Sequence, residues 1–463
     1  MNLVLGCILA YIVSQLFFAF WFSRRVRTES DYLLAGRSLG PWLGTFSVFA
    51  TWYGAETCIG AAGEAYSQGI SGVLADPFGY TLGVVIFGLF FAASLWRRGL
   101  VTMADLFRDR YGAGVERVSA LVMIPTSVMW AAAQIRAFGQ VLASVSEFGL
   151  LAAITIAAVV VVAYTAIGGM WADAITDLVQ GLVLIAGIVG LFVVFVLIGG
   201  FDALAAQPPQ RFDPLHARTP LDALETLAIP IFSTIAAQEL ASRALSMRGA
   251  QLARSATVGA GFMYLALGLL PVVIGLGAAN YIGADRDPEQ TLSLFAQQQL
   301  PLPLYILFLG ALVSAILSTL SGALLVAGSL LAHNFVTPLL APRFPHWGEG
   351  GKLKLDRAAV VFFGIVAYAI ALGSDSIYEL VQQASALGSS GVLVLLVFGL
   401  WTPRFGHAPS AYAALLLGTV TYLIGADWLQ MESPYLLSLA LALLGYLVAV
   451  PFGRRLPASR IVA

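Results

Sequence analysis

Thirteen apolar stretches recur along the 463-residue chain, most of them close to the roughly 20 residues that a helix needs to cross about 30 Å of hydrocarbon. They lie near 3–22, 41–66, 70–95, 118–145, 149–167, 171–198, 223–246, 255–281, 304–333, 356–374, 377–400, 407–426 and 434–452. Lipid leaves no water for unpaired peptide groups, and the alternating segments of roughly ten residues that build a barrel are absent, so the stretches read as helices. The expectation is an all-α integral membrane protein of about thirteen transmembrane helices. Only 11% of residues are charged, against about 25% in soluble domains, and mean hydropathy is +0.87. A formal net charge of -1 excludes a basic nucleic-acid footprint. Cys7 and Cys58 both lie in apolar stretches, which excludes a disulfide framework or a cysteine metal cluster.

Charge placement orients the helices, because lysine and arginine concentrate in cytoplasmic loops. No basic residue precedes the first apolar run, and Arg24, Arg25 and Arg27 follow it. This order reads as a spanning helix with its N-terminus outside, not as a cleaved signal peptide. Alternating crossings then put all but four of the 24 lysines and arginines on the cytoplasmic side, Arg243, Arg248, Arg254 and the C-terminal Arg454, Arg455 and Arg460 among them. Arg211, Arg218 and Arg286 fall outside, and Arg136 lies within the fourth stretch. The C-terminus is thus expected in the cytoplasm. No linker divides the chain, so residues 1–463 read as one domain of the cell membrane.

Two stretches are interrupted. The second holds Gly54, Gly60 and Gly63 among Thr51, Glu56, Thr57 and Glu64; the seventh holds Pro230, then Ser233, Thr234, Gln238 and Glu239. Glycines also let helices pack closely, but broken helices at mid-membrane supply the half-helix ends and freed carbonyls of transporter sites. Helices two and seven open two successive groups of five. That spacing suits an inverted repeat over 38–198 and 223–402, with one extra helix in 1–37 and two in 403–463.

In the ninth stretch Ala315, Ser318, Thr319 and Gly322 share one helix face. Their oxygens suit a hard alkali cation, and equally suit bonds to their own backbone. Asp173 and Asp177 sit one turn apart at the start of the sixth stretch; Asp173 suits a helix N-terminus, and Asp177, a turn deeper, suits a functional role. Arg136 needs an anion. An internal pair with Glu56, Glu64 or Asp76 and a substrate carboxylate both answer that need.

Several runs resemble the solute:sodium symporter family. They are Asp31-Tyr-Leu-Leu-Ala-Gly-Arg37-Ser-Leu-Gly-Pro-Trp42, Ser47-Val-Phe-Ala50-Thr-Trp-Tyr53-Gly-Ala-Glu56-Thr-Cys-Ile-Gly60, Gly63 to Gly69, Tyr164 to Met170, Thr176 to Gln180, Gln238 to Leu245 and Ser318-Thr319-Leu-Ser321. The resemblance implies a LeuT-like fold and sodium-driven uptake by alternating access. It implies a sodium site at Ala50, Tyr53, Ala315, Ser318 and Thr319, and a second sodium at Asp177 and Ser321, with Gly322 where a hydroxyl can occur. Substrate contacts are implied at Thr57, Arg136 and Phe232, Ser233 and Thr234. Ser233 stands where sugar-carrying members have a tyrosine, which argues against a sugar.

The leading expectation is therefore a sodium-coupled symporter for a small carboxylate, an amino acid or organic acid, with a neutral polar solute as the alternative. Sodium is the coupling ion, and no organic cofactor, nucleic acid or obligate protein partner is called for. A sensor module is the rival, and the chain's end soon after Arg454 is expected to leave no room for a signalling domain. An enzyme is a poorer fit, because His216, His333, His346 and His407 are scattered.

Overall fold

The computed structural model describes residues 3–453 except 147, 285, 341–342, 344–347, 375–376 and 403. His346, Arg454, Arg455 and Arg460 lie outside the described residues. Every regular element among those described is helical, apart from one isolated bridge between Leu39 and Met247. In chain order the elements used below are α1 (Leu3–Ser23), α2 (Glu29–Leu34), α3 (Pro41–Trp52), α4 (Ala61–Gln68), α5 (Tyr80–Ile86), α6 (Met103–Tyr111), α7 (Ala113–Val145) and α8 (Leu150–Leu197). There follow α9 (Pro220–Ala236), α10 (Gln238–Leu245), α11 (Ala250–Ile282), α12 (Leu302–Ser329), α13 (Glu349–Gly373), α14 (Ile377–Ala386), α15 (Ser389–Trp401), α16 (Ala408–Leu423) and α17 (Pro434–Val448).

Nine helical runs among the described residues are long and apolar enough to cross a membrane, or ten if α9 and α10, bent by 41°, form one span. This is fewer than the thirteen stretches read from sequence, for identifiable reasons. Two continuous runs, Glu56–Arg97 and Leu150–Leu197, each contain two stretches or parts of them, while α3 and α17, of 12 and 15 residues, are short. The 48 residues of α8 would extend about 72 Å as a straight helix, more than twice the hydrocarbon core. Gly169 interrupts it with φ +59° and ψ -170°, and a Cβ there would meet the Tyr32 ring at 2.5 Å.

The centre of the bundle is α12, in which every residue from Ala311 to Ser329 is buried. A helix apolar on all sides belongs inside other helices, and α12 packs between α7 and α8. Leu182, Phe262, Ile365 and Leu416 are instead exposed, as a lipid-facing belt requires.

The two broken helices meet this centre. The second stretch breaks after Trp52, where Tyr53 has ψ +79°, and resumes as a π-helical turn at Glu56–Gly60. Gly63 stays helical beyond the break, and a Cβ there would lie 2.4 Å from the Pro288 carbonyl oxygen, so it serves close packing. In the seventh stretch the break is not at Pro230. That residue remains inside α9, against Gly79, and the chain turns extended at Ala237, with ψ +126°. The helix tolerates Pro230, and its last turn closes through the Ala237 N–H on the Thr234 carbonyl (3.2 Å).

At the end of the bundle that carries Arg24 to Arg27, a buried ionic cluster ties α2, α6 and the chain beyond α12. His333 Nδ1 is 2.7 Å from Glu29, and Nε2 is 3.3 Å from Asp105. Asn334 Nδ2 donates to Asp105 (3.1 Å) and Glu116 (2.9 Å). Burial by itself would raise the Glu29 and Asp105 carboxyls; the His333 imidazole outweighs it and holds both below their ordinary values.

Candidate cation and solute site

Two hydroxyls on α12 converge on the end of α3. Ser318 Oγ donates to the Ala50 carbonyl (2.7 Å) and to the Ala315 carbonyl (3.1 Å), and Thr319 Oγ1 donates to the same Ala50 carbonyl (3.2 Å). Tyr53 closes α3, and its ψ turns its carbonyl off the helical ladder. Its ring packs on Phe49 and Tyr264, and its hydroxyl donates to Leu267 O (3.1 Å). Two carbonyls and two hydroxyls thus share one buried spot, with a third carbonyl beside it. The donors are all neutral, hard oxygens. A divalent ion would call for carboxylates, so the set suits a monovalent alkali cation such as sodium.

The break itself is keyed by Gln134 on α7, whose Oε1 accepts the Ala55 N–H at 3.1 Å, one of the donors a restarting helix leaves open. A Cβ on Gly54 would lie 2.9 Å from Thr319 Oγ1 and 3.1 Å from Gln134 Nε2. Glycine is therefore what allows the break to close on α12.

Beside the cation spot, aromatic rings and acids surround the same break. Trp52 and Trp130 make an edge contact with centroids 5.4 Å apart, and Trp52 Nε1 donates to Thr234 Oγ1 (3.2 Å). Glu56 and Asp76 are buried neighbours. Asp76 accepts from Thr57 Oγ1 (2.8 Å) and from the Tyr264 hydroxyl (2.7 Å). Glu56 meets the Tyr80 hydroxyl, and its Oε1 has no hydrogen-bond partner among the described residues. Toward α10, a small cavity with a mostly apolar wall, Val122, Met123 and Leu387 among it, also presents Ser127, Ser233 and Glu239.

The expected substrate contacts divide. Thr57, Ser233 and Thr234 lie at or near the break, with Thr57 already committed to Asp76. Phe232 is half-buried and packs both against the main core and against the Ala386 and Tyr435 cluster. Arg136 is not brought there. The face that α7 turns to the break carries Ser127, Trp130 and Gln134; two residues on, helical rotation takes Arg136 about 200° away, where it is only partly buried.

Asp177 and Ser321 are not partnered with each other. Ser321 Oγ donates to Asp173, and Asp177 accepts from Ser47 Oγ (2.7 Å). Between the acids lies Arg243, counted from sequence among the cytoplasmic-side charges but 1% exposed, hydrogen-bonded to Asp173 and 3.8 Å from Asp177. The seventh stretch, drawn to residue 246, already enclosed Arg243; that position within an apolar helix was the available signal. The aromatic residues Trp52, Trp130 and Tyr264 gave none, because aromatic residues in lipid-spanning helices are ordinary.

The sequence profile of the sodium:solute symporter family matches residues 32–418. The chain belongs to that family. It is a family of sodium-coupled transporters, not enzymes. The high-affinity choline transporter 1 of Caenorhabditis elegans is 27% identical over 418 residues, covering 86% of this chain and 71% of that one. For the Drosophila melanogaster counterpart the figures are 27%, 83% and 64%, so the chain spans about two thirds of these relatives' length. The sodium/proline symporter of Staphylococcus aureus is 25% identical over 443 residues, covering 91% of this chain and 86% of that one. Among solved structures, a sodium-coupled sialic acid symporter in a substrate-bound outward-open state superposes with TM-score 0.86 at 17% identity over the whole of both chains. A nucleobase-cation-symport-1 family transporter, closed around bromovinylhydantoin, gives 0.63 at 15% identity, covering 92% of this chain and 95% of that one. The fold shared with these transporters is the LeuT-like fold.

Proposed function

We propose that the protein imports a small solute bearing an ammonium group, driven by one sodium ion held by Ala50, Tyr53, Ala315, Ser318 and Thr319, through alternating access. The observation that carries the solute class is Glu56. It is a buried carboxylate with an unpartnered oxygen, at a helix break flanked by Trp52 and Trp130 and next to Asp76. A cation arriving beside that oxygen supplies the partner it lacks, and aromatic faces attract quaternary and protonated amines. Choline and proline, the solutes in the names of two relatives, share a cationic nitrogen. In this reading the sequence-based carboxylate becomes an optional second group of a zwitterion, and Arg136, turned away from the break, takes no part in holding it.

The architecture proposed with this reading is thirteen crossings, with Glu56–Arg97 and Leu150–Leu197 each divided between two of them. The inverted repeats span 38–198 and 223–402, the flanking helices lie in 1–37 and 403–463, and the chain runs from an outside N-terminus to a cytoplasmic C-terminus. The two breaks, at Tyr53–Ala55 and at Ala237, support the repeats, because each opens its group of five.

Thermal stabilisation of the purified protein by choline, proline and acetate, with and without sodium, tests the solute class. Choline or proline is expected to stabilise only with sodium, and Glu56→Gln to abolish that effect. Stabilisation by acetate and by neither amine would refute the ammonium reading.

A further inference from the structure

We infer that Arg243 is a tethered cation standing where a second sodium would bind, so that the protein moves a single sodium ion per cycle. The inference rests on the symporter reading above and concerns its ion count.

Arg243 heads the largest fully buried side chains, and its contacts run in several directions. Nε donates to Thr51 Oγ1 (2.8 Å), Nη1 lies 2.5 Å from the Met170 sulfur, and Nη2 reaches Asp173 and, at 3.8 Å, Asp177. Most of the oxygens that would otherwise gather around a small cation are thus drawn to a guanidinium or to each other, while Asp177 Oδ1 has no hydrogen-bond partner among the described residues. Ser321 donates to Asp173, Ser47 donates to Asp177, and Thr51 accepts from Arg243. Gly322 completes the fit, because a Cβ there would lie 2.8 Å from Nη2. The missing hydroxyl at 322 is what makes room for the arginine.

The cation spot of neutral oxygens lies about one helical turn away along both α3, from Ser47 to Ala50, and α12, from Ser318 to Ser321. A second sodium among the Asp173 and Asp177 oxygens would sit against the Arg243 guanidinium, a like-charge pair buried in a low dielectric, which is strongly unfavourable.

The test is equilibrium binding of radiosodium to the purified full-length transporter, without solute and with potassium chloride holding ionic strength constant. The wild type is expected to bind one sodium per chain, Ser318→Ala/Thr319→Ala none, and Asp177→Asn still one, with affinity weakened about tenfold or more by the lost counter-charge. Arg243→Gln is expected to bind two. Two sodium ions on the wild type, or a count that falls from two to one in Asp177→Asn, would overturn the tethered cation and leave the symporter reading intact. No sodium on the wild type would overturn both. One sodium on both the wild type and a folded Arg243→Gln would overturn the role of Arg243.

Discussion

Replacing Ser318 and Thr319 together by alanine removes two of the five oxygens assigned to sodium while keeping a strong helix former at each position. Hydrogen bonds involving a charged partner contribute about 1.5–3 kcal/mol each. Without sodium, however, the two hydroxyls are not idle, since both donate to the Ala50 carbonyl, at 2.7 and 3.2 Å. Binding must exchange those neutral bonds, each worth about 1 kcal/mol, for contacts with the ion. The net loss per hydroxyl is then about 0.5–2 kcal/mol, or about 1–4 kcal/mol for the pair. This corresponds to a roughly 5- to 1,000-fold weaker sodium affinity. Sodium titration of thermal stability and of uptake, with the variant's yield as the control for insertion, measures the loss. A double variant that reaches the membrane and keeps wild-type sodium dependence would refute the assignment of these hydroxyls.

Gly54→Ala puts a Cβ 2.9 Å from Thr319 Oγ1, so sodium affinity should fall at least tenfold, in the direction of the double alanine variant; sodium titration of uptake checks this. Arg136→Gln should leave the preference between choline-type and carboxylate-bearing solutes unchanged, as paired uptake assays would show. Glu29 and Asp105 have lowered carboxyl values, so their contribution is present above the ordinary carboxylate range and is lost as pH falls through the lowered values. Thermal stability should therefore decline on acidification below about pH 4, and His333→Ala should remove much of that decline.

The helical architecture was legible because lipid imposes a length and a polarity on each spanning segment, which composition cannot hide. The cation spot was legible too: the Ala315, Ser318, Thr319 face follows from helical spacing, and family motifs supplied its partner on α3. What sequence hid was pairing between distant helices. Arg136 stood out as an arginine in an apolar run, yet its rotation on α7 takes it off the face that carries Trp130 and Gln134. Arg243 stood out only as a charge near the cytoplasmic end of the seventh stretch, and nothing along the chain signals that Asp173, about 70 residues earlier, lies against it. Pro230 looked like the break, but it stays helical inside α9, and the extended residue was Ala237.

The central claim, sodium-driven movement of an ammonium-bearing solute, is tested most directly in proteoliposomes by following radiolabelled choline and radiosodium together. An inward sodium gradient is expected to drive choline above its external concentration, with one sodium entering for each choline and neither flux occurring without the other. Choline entry that is equally fast in potassium, or sodium entry unchanged by choline and by proline, would contradict it.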